Sequence, residues 1–289
     1  MTIATIDIGG TGIKFASLTP DGKILDKTST PTPETLEDLL AWLDQRLAEQ
    51  DYSGIAMSVP GVVSQETGVI EGISAIPYIH GFSWYETLAH HQLPIHLEND
   101  ANCVGLSELL AHPEIENAAC VVIGTGIGGA MIINGKLHRG RHGLGGEFGY
   151  MTTIEPAEKL NNWSLLASTG NMVRYVIEKS GQTDWDGRKI YQEAAAGNAL
   201  CQEAIFRMNR NLAQGLLNIQ YLIDPDVISL GGSISQNQDF IQGVKKAVDD
   251  FVETYEEYTV APVIQACTYH ADANLYGALV NWLQEENQW

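Results

Sequence analysis

The sequence predicts an α/β protein in which one strand–turn–strand plan occurs twice. Short apolar runs alternate with longer segments of helical periodicity, which is typical of α/β architectures. Two of the apolar runs, beginning at Ile3 and Cys120, lead into glycine-rich turns followed by a second apolar run and a tight turn. Because the two copies are far apart in the chain, they indicate a duplicated domain. Each half is expected to open with a β-hairpin whose glycine turn points to the same place.

Composition indicates a globular and acidic protein. The 289 residues are 44% hydrophobic, which is enough for a full core in one large or two ordinary domains. Acidic residues outnumber basic ones by 36 to 16, and the net charge of −20 repels nucleic acid and anionic membranes. Backbone amides bind phosphate without net positive charge, so a nucleotide ligand is still allowed. We expect small-molecule partners, with no nucleic acid and no membrane.

Targeting and redox features predict a cytoplasmic protein. The first residues are strand-like, without a basic segment or a long apolar run, so no signal peptide is expected. No apolar run is long enough to span a bilayer. The scattered cysteines contain no Cys-x-x-Cys pair, which favours neither a zinc site nor a disulfide framework. They are Cys103, Cys120, Cys201 and Cys267.

The first predicted hairpin contains a candidate phosphate loop. A strand over 3–8 ends in the turn Gly-Gly-Thr-Gly, and the next strand runs to an Asp-Gly turn at 21–22. Glycines let the backbone approach a phosphate and present its N–H groups. Asp7, at the strand end, is positioned to hold Mg²⁺ through water. The alternative is a plain hairpin whose turn Asp7 caps. The candidate phosphate ligands are Gly9, Gly10, Thr11 and Lys14.

Between the hairpins, the pattern predicts a helix over 34–50, with Thr32 as N-cap and Pro33 as first residue. A buried strand over 55–59 follows and ends at Gly61. We place the domain boundary near residues 112–114. The N-terminal lobe then covers 1–112, joined by a C-terminal helix within 271–289, and the C-terminal lobe covers 113–270.

The segment after the predicted strand 93–97 carries the candidate for acid–base chemistry. Asp100 follows this strand and precedes a helix, where open α/β sheets bind their ligands. Its carboxylate is suited to accept a proton from a hydroxyl, and Asn99 is suited to hold neighbouring hydroxyls. The alternative is that Asp100 only caps the helix, since Asp and Asn are favoured there. This segment alone does not decide between the two.

The second hairpin repeats the glycine turn after the run Cys120–Ile123. Its spacing also matches the dinucleotide fingerprint Gly-x-Gly-x-x-Gly, but that fingerprint must open a helix. Here it opens a strand and an Asn-Gly turn, so a Rossmann NAD site is not expected. The paired turns together favour phosphate binding. The candidate ligands in the second turn are Gly124, Thr125, Gly126 and Gly128.

The C-terminal half continues with a glycine-rich loop over 140–149, which contains Glu147, and with further helices and strands. The pattern predicts helices over 164–179, 188–196, 200–222 and 271–284, and strands over 226–230 and 263–266. Gly231 and Gly232 let the backbone lie flat against a planar ring, or form an ordinary strand-to-helix turn. Metal binding by His138, His142 and Glu147 is not expected, because the glycines between them disfavour a helix. The pair His90–His91 is expected on a solvated helix end.

Taken together, these motifs resemble the ROK family of sugar kinases, within the actin/hexokinase/Hsp70 ATPase superfamily, over nearly the whole chain. Each motif is common alone, whereas their order and spacing are specific. The matching segments are 7–11, 58–61, 98–102, 124–129, 145–149 and 230–232.

The resemblance implies two actin-like (ribonuclease H-like) lobes with a cleft between them, ATP and Mg²⁺ as cofactors, and a homodimer. It implies that Asp100 is the catalytic base, and that Asn99, Glu147 and the backbone near Gly61 contact the sugar. The two glycine hairpins would clamp the phosphates, and Gly231-Gly232 would form the adenosine platform.

One region departs from the family pattern. Many members have His after the Glu-x-Gly motif, then a cysteine cluster that binds zinc and a further sugar-binding Glu. Here Tyr150 replaces the His, Ser164 stands near the place of the second Glu, and no cysteine occurs between Cys120 and Cys201. We therefore expect no zinc, and a sugar specificity broader than glucose. Some zinc-less relatives act on β-glucosides, and an open pocket would accept a disaccharide.

The expected activity is phosphoryl transfer from ATP to a hydroxyl, taken as the 6-OH, of glucose, a related hexose or a β-glucoside. A non-catalytic sugar sensor of the same fold is the alternative, against which the presence of Asp100 and both phosphate hairpins argues. A chaperone-like ATPase would need a substrate-binding domain, which the sequence lacks. The family's repressors carry an added N-terminal DNA-binding domain, and none is expected here.

Overall fold

The computed structural model of the chain describes residues 1–154 and 160–289. Its contacts divide them into two compact units. The first comprises Met1–Glu114, Lys136–Gly145 and Ala271–Trp289, and the second comprises Ile115–Gly135 and Gly146–His270. That these units are domains, with the boundary near residues 112–114, stays a prediction.

Strands and helices alternate along the chain, as predicted. The strands are β1 (Ile3–Ile8), β2 (Gly12–Leu18), β3 (Ile24–Pro31), β4 (Gly54–Val59), β5 (Val62–Val63), β6 (Ile70–Glu71), β7 (Ile95–Asn99), β8 (Ala118–Ile123), β9 (Ile127–Ile133), β10 (Lys136–Leu137), β11 (Thr152–Ile154), β12 (Leu160–Asn162), β13 (Val227–Gly231) and β14 (Ile264–Ala266). The α-helices are α1 (Leu36–Leu47), α2 (Trp84–Thr87), α3 (Asp100–Ala111), α4 (Trp163–Ala167), α5 (Thr169–Ser180), α6 (Gly187–Ala195), α7 (Ala199–Ile223), α8 (Gln238–Thr254) and α9 (Ala273–Glu285).

The first unit is built on a mixed five-stranded sheet in the order β3-β2-β1-β4-β7. The β1–β2 and β2–β3 pairs are antiparallel, whereas β1–β4 and β4–β7 are parallel. Because β1, β4 and β7 run the same way, their carboxyl ends meet at one edge of the sheet, where ligands bind in open α/β folds. One face of the sheet packs against α9, through a buried cluster that includes Ile3, Ala56, Leu275, Leu279 and Trp282.

The second unit repeats the hairpin plan. Its strands lie in the order β9-β8-β13-β14, with β8 and β9 antiparallel and both β8–β13 and β13–β14 parallel. The core is formed where this sheet packs with helices α4–α8, and it includes Trp163, Leu212, Leu216 and Phe240. The predicted duplication, an antiparallel hairpin joined to parallel strands, is therefore present in both units.

Two helix starts differ from the sequence pattern. Helix α1 is capped by Thr35, whose hydroxyl accepts a hydrogen bond from the Asp38 amide at 3.2 Å, and not by Thr32. The Thr32 hydroxyl donates instead to the Gly9 carbonyl, because β3 brings it beside the first glycine turn. The predicted helix 164–179 is two helices, α4 and α5, separated at Ser168. The Ser168 hydroxyl caps α5 by accepting from the Asn171 amide at 3.1 Å.

The four cysteines are buried, and the sulfurs of Cys120 and Cys267 are in hydrogen-bonding contact at 3.6 Å. No helix in the described part of the chain is long and apolar enough to cross a bilayer.

Candidate active site

The strand-to-helix junction at Asn99–Asp100 lies at the carboxyl edge of the first sheet. Strand β7 ends at Asn99, whose side-chain oxygen accepts a hydrogen bond from the Asn102 amide at 3.1 Å. Asn99 is therefore the helix cap, and Asp100 is the first residue of α3. The interpretation of Asp100 as only an N-cap is wrong, because the preceding residue fills that role.

Asp100 has the electrostatic setting of a proton acceptor. Burial raises the pKa of its carboxyl, and the nearby Asp7 carboxylate raises it further. The Ala101 amide, which donates to the Asp100 Oδ1 atom at 2.8 Å, opposes this shift. A carboxylate with a raised pKa is a stronger base once it has ionised, which suits proton abstraction from a hydroxyl.

Asn99 and Gly61, to which the family resemblance assigns sugar contacts, meet at the same edge. The Asn99 side-chain amide donates to the Gly61 carbonyl at 3.0 Å. The Asn99 side chain also hydrogen-bonds to the Asp100 carboxyl, a contact that acts to lower the Asp100 pKa against the effect of burial. Gly61 has φ +105°, and a Cβ there would lie 2.8 Å from the Glu71 carbonyl oxygen. The turn after β4 therefore requires glycine.

The first glycine turn borders a cavity of about 490 Å³ that also contains the Asp100 side chain. The turn is closed by a hydrogen bond from the Gly9 amide to the Gly12 carbonyl at 3.1 Å. Gly9, Thr11 and Lys14 line the cavity, whereas Gly10 is directed toward Ala75, to which an added Cβ would be 3.0 Å. The cavity lining is Asp7, Ile8, Gly9, Thr11, Gly12, Ile13, Lys14, Ser29, Thr30, Pro31, Asp100 and Asn274.

Asp7 is held between two side chains in this cavity. Its Oδ2 atom pairs with the Lys14 ammonium at 3.0 Å, and its Oδ1 atom accepts from the Asn274 amide at 2.8 Å. The Lys14 ammonium also donates to the Ala271 carbonyl. Asn274 on α9 is a residue that the sequence did not indicate, because nothing in the local pattern connects it to β1.

Behind the junction, Glu98 forms a buried ionic network. The Glu98 side chain is only 3% exposed, and its carboxylate pairs with the Arg139 guanidinium at 2.6 Å. The other carboxylate oxygen of Glu98 accepts a hydrogen bond from the backbone amide of Asn99 at 2.8 Å and one from the side-chain amide of Asn102 at 2.9 Å. Arg139 also pairs with Glu285 on α9 at 2.9 Å. The network thus fixes Asn99 and Asn102, which lie on either side of Asp100 in the chain.

A second cavity in the first unit, of about 340 Å³, begins at the residue after Gly61. Its lining combines charged side chains of both signs with apolar surface, which suits the hydroxyl groups and the apolar faces of a sugar ring. The lining is Val62, Val63, Ser64, Gln65, Glu66, Glu71, Arg139, Gly140, Arg141, His142 and Gly143.

In the second unit, the other glycine turn is exposed and lies at the start of α5. The Gly124 amide donates to the Gly126 carbonyl at 2.9 Å, and the Gly170 amide donates to the Gly124 carbonyl at 3.1 Å. The Ser164 hydroxyl accepts from the Ile127 amide at 2.9 Å and donates to its carbonyl. Ser164 therefore braces this turn, while Tyr150 is 72% exposed.

A cavity of about 690 Å³ lies beyond the end of β13. Gly232 has φ +88°, and the residues that follow it, Ser233 and Ile234, line the cavity. The buried hydroxyls of Thr169 and Tyr191 also line it and have no hydrogen-bond partner among the described residues. Buried hydroxyls normally have partners, so this cavity presents polar groups suited to a ligand. The sequence pattern indicated only the glycines.

The structure thus groups the predicted residues in two sets. Asp7, Gly9, Thr11, Lys14 and Asp100 line one cavity of the first unit, with Asn99 and Gly61 beside it. Glu147 belongs to the second unit, as do the second glycine turn and the segment 231–232. The meeting of the two sets around one substrate stays a prediction.

Within residues 1–154 and 160–289, one group of three metal-ligating side chains converges, and it is Asp44, His90 and His91. His138 and Glu147 belong to different units, and His142 lines the polar cavity beside Gly61. The expectation of no zinc in the family's cysteine region stays a prediction.

Comparison with known proteins gives consistent matches over the whole chain. The family model described as "ROK family" matches residues 3–285. A β-glucoside kinase of Listeria monocytogenes is 35% identical, with 100% of this chain and 99% of that protein covered. A glucokinase of Halalkalibacterium halodurans is 28% identical over 98% of this chain and 95% of its own length. The crystal structure of a ROK family protein from Streptococcus pneumoniae TIGR4 in complex with sucrose is 90% identical, has a TM-score of 0.98, and is covered fully in both directions.

Proposed function

Because this chain belongs to the ROK family, we propose that it is an ATP-dependent carbohydrate kinase, which transfers the γ-phosphoryl group of ATP to a sugar hydroxyl. The names of its relatives, a β-glucoside kinase and a glucokinase, support this activity. The observation that carries the proposal is the cavity in which the Asp100 carboxylate lies with the first glycine turn and Lys14. A base and a phosphate loop in one cavity are what phosphoryl transfer to a hydroxyl requires.

Asp100 is proposed as the catalytic base that accepts the proton of the attacking hydroxyl. Asn99, the backbone at Gly61 and Glu147 are proposed to hold the sugar, and the hydroxyl is proposed to be the primary 6-OH. The two glycine turns are proposed to hold the phosphates, the first through Gly10, the Thr11 hydroxyl and Lys14, and the second through Gly126, Gly128 and the Thr125 hydroxyl. Gly9 and Gly124 are proposed to shape the turns, since their amides donate to the carbonyls of Gly12 and Gly126.

Asp7 fits a magnesium ion held through water. Each carboxylate oxygen has one hydrogen-bond partner, Lys14 or Asn274, so each keeps a lone pair for a water molecule. Mg²⁺ usually keeps several waters and binds through few carboxylates. When bound, the ion would neutralise charge on the phosphates of ATP. We propose the cavity lined by Thr169, Tyr191 and the residues after Gly232 for the adenosine, since its buried hydroxyls have no hydrogen-bond partner within the part of the chain that the structure describes.

The proposed substrate is a glucose unit that carries an aglycone, either a β-glucoside or a disaccharide. The polar cavity that starts at Val62 supports this choice, since it extends from the Gly61–Asn99 contact and offers donors and acceptors to a second ring. The β-glucoside kinase name and the sucrose complex of the 90% identical protein agree with it. We also propose a homodimer in the cytoplasm. The family resemblance supports the dimer, and the scattered cysteines without a Cys-x-x-Cys pair fit a reducing compartment.

The test is ADP release with Mg·ATP and a panel of glucose, mannose, N-acetylmannosamine, fructose, sucrose and cellobiose. The control is Asp100→Asn, which preserves the shape of the side chain and removes the base. We expect one sugar class to stimulate release, and the variant to lose about 10²–10⁴-fold in kcat with sugar binding preserved. A non-catalytic sensor would instead bind sugar, as seen by a raised Tm, and release no ADP with any sugar.

Substitution of Arg141 is a separate test of the polar cavity that starts at Val62, which we call the aglycone cavity. Arg141 is exposed and lines that cavity, so Arg141→Ala should leave the fold intact and remove one charged donor to a second sugar ring. We expect KM for a disaccharide or β-glucoside to rise roughly tenfold, as loss of a charge-assisted hydrogen bond predicts, with KM for glucose unchanged. Arg174→Ala, at an exposed arginine on helix α5 of the second unit, is the matched control. An equal rise for glucose would contradict the assignment of this cavity to the aglycone.

A further inference from the structure

We propose that Asp44, His90 and His91 form a binding site for a divalent transition-metal ion of the zinc type. The site is separate from the proposed phosphoryl transfer. Asp44 lies on α1, and the two histidines end the short 3₁₀ helix Ala89–His91. One carboxylate oxygen and two imidazole nitrogens of this cluster lie within 4.8 Å of one another.

The distances suit a small ion after a minor adjustment. The Nε2 atoms of His90 and His91 lie 3.1 Å and 2.8 Å from the same oxygen, Oδ1 of Asp44. Bonds of about 2.0–2.2 Å in a tetrahedral site separate the ligand atoms by roughly 3.4 Å. The side chains of His90 and Asp44 are 56% and 46% exposed, so a small rotation of either one reaches that separation. The fourth position then faces solvent.

The proton positions on His90 favour a cation at this point. Its Nδ1 atom lies 3.2 Å from the Thr87 carbonyl, which only accepts hydrogen bonds, so Nδ1 carries the ring proton. In the neutral ring, Nε2 then presents a lone pair toward the Asp44 carboxylate, and two acceptors face each other. Either a second ring proton on Nε2 or a metal ion between the two groups removes this conflict, and the metal titration below distinguishes them. A metal-bound histidine usually donates its other ring N–H to a carbonyl, as His90 does here.

The convergence of the two rings is unusual for neighbouring residues. Side chains at successive helical positions do not normally face each other. Here the ring centroids are 4.1 Å apart, and both rings turn to one carboxylate oxygen. The residue after them, Gln92, adopts a left-handed conformation with φ +56° that closes the turn. Within the described contacts, Asp44 forms no ion pair with Lys or Arg, and the chain carries a net charge of −20 that attracts cations.

The position of the cluster predicts a structural effect. His91 precedes strand β7, whereas Asp100 follows it, so the cluster and the proposed catalytic base belong to opposite ends of one strand. A bound ion would join α1 to the segment that leads into β7. We therefore expect the metal to raise thermal stability without changing the kinetics of phosphoryl transfer. The expected absence of zinc concerned the family's cysteine cluster and is a different question.

The experiment uses the full chain without a histidine tag, first treated with a chelator. Co²⁺ is titrated while its d–d absorption bands are recorded, and Tm is measured with and without Zn²⁺. We expect Co²⁺ bands without a thiolate charge-transfer band, a higher Tm with Zn²⁺, and no displacement of Co²⁺ by Mg²⁺, which prefers oxygen ligands. His90→Gln and Asp44→Asn, on two different elements, should each weaken Co²⁺ binding at least tenfold. His112→Gln, at another partly exposed histidine, should bind as the wild type does.

Circular dichroism and Tm in chelator verify that each variant is folded, so a loss of binding is read on folded protein. The proposal is overturned if the wild type gives no Co²⁺ bands, if a thiolate band places the ion on a cysteine, or if His90→Gln and Asp44→Asn bind like the wild type. Equal weakening in His112→Gln would overturn it too, since the ion would then lie elsewhere.

Discussion

Asp100 is expected to destabilise the fold at neutral pH while it serves the reaction. Its folded pKa lies above the value of 3.8 that applies in the unfolded chain, so the folded state binds the proton more tightly. The resulting loss of stability is absent below the unfolded pKa, develops between the two pKa values, and is complete above the folded one. Asp100→Asn avoids this loss. We expect the variant to be more stable than the wild type at neutral pH, with the difference vanishing near pH 4 as Asp100 is protonated.

Urea denaturation at the two pH values measures this difference. Asp21→Asn is a control of opposite sign, because a hydrogen bond from Thr19 lowers the pKa of the exposed Asp21 carboxyl. That variant should lose a little stability at neutral pH. If Asp100→Asn were less stable than the wild type at neutral pH, the ionised Asp100 carboxylate would have to stabilise the folded protein. That result would contradict a raised pKa for Asp100. The same pKa predicts that kcat/KM falls on acidification at a pH above the usual range for Asp.

Alanine substitutions at Gly61 and Gly72 distinguish the energetic cost of backbone strain from that of a steric clash. Both glycines have positive φ, +105° and +88°, but a Cβ at Gly61 would meet the Glu71 carbonyl at 2.8 Å, and one at Gly72 would meet nothing within 4 Å. Gly72→Ala should therefore cost only the strain, about 1 kcal/mol. Gly61→Ala should cost several kcal/mol and raise the KM for sugar, because the Gly61 carbonyl holds Asn99. Chemical denaturation and steady-state kinetics measure the two effects. Equal losses in both variants would contradict the steric argument.

At the scale of elements, the pair Glu98–Arg139 is expected to hold the β7–α3 junction. Arg139→Met leaves the nearly buried Glu98 carboxylate without its cation, and such a change typically costs about 3 kcal/mol. Solvent access to Arg139 should reduce this somewhat. Lys246→Met breaks an exposed pair with Asp250 on α8 and should leave the stability nearly unchanged.

Thermal or urea unfolding compares the two variants. Adding Glu98→Gln to Arg139→Met should recover part of the loss, because the double variant buries no unpaired charge. No recovery would indicate that Arg139 acts through its packing and not through its charge.

The local pattern of apolar and turn-forming residues predicted the strands and helices, whereas hydrogen bonds between residues distant in sequence determined where some of them begin and end. The run Ile3–Ile8 and the turn after it were predicted correctly, because β-hairpins are specified by neighbouring residues. Thr32 fits the N-cap pattern equally well as Thr35, but the Gly9 carbonyl, distant in sequence, binds the Thr32 hydroxyl. Ser168 interrupts an apolar periodicity that continues on both sides, so only its hydrogen bond to Asn171 shows the break.

The residues of the candidate site divide in the same way, into those that a local sequence motif identifies and those that only tertiary contacts reveal. Asp100 and the glycine turns were found because each lies in a short local motif at a strand end. Asn274, Thr169 and Tyr191 were missed because their significance arises from contacts made across the fold, which spacing does not encode. The histidine pair was expected to be solvated; its contact with Asp44, more than forty positions earlier, appears only when α1 packs beside it.

For the whole molecule, the net charge of −20 predicts that salt stabilises the fold. Acidic groups repel one another in the compact state, and the screening length falls from about 30 Å at 0.01 M salt to about 3 Å at 1 M. We expect Tm to rise with NaCl over this range, and by the same amount with KCl, since screening does not depend on the ion. A fall in Tm would mean that attractive pairs outweigh the repulsion.

The first unit is assembled from three stretches of chain, and this has a consequence for its synthesis on the ribosome. Helix α9 supplies Leu275, Leu279 and Trp282 to the cluster that covers Ile3 and Ala56, yet it is translated after the entire second unit. At about 5–20 residues per second, the nascent sheet waits on the order of ten seconds for this cover. During that interval, while the second unit is being synthesised, this apolar face is open to molecular chaperones. Folding in the cell is therefore expected to follow the order second unit, then first.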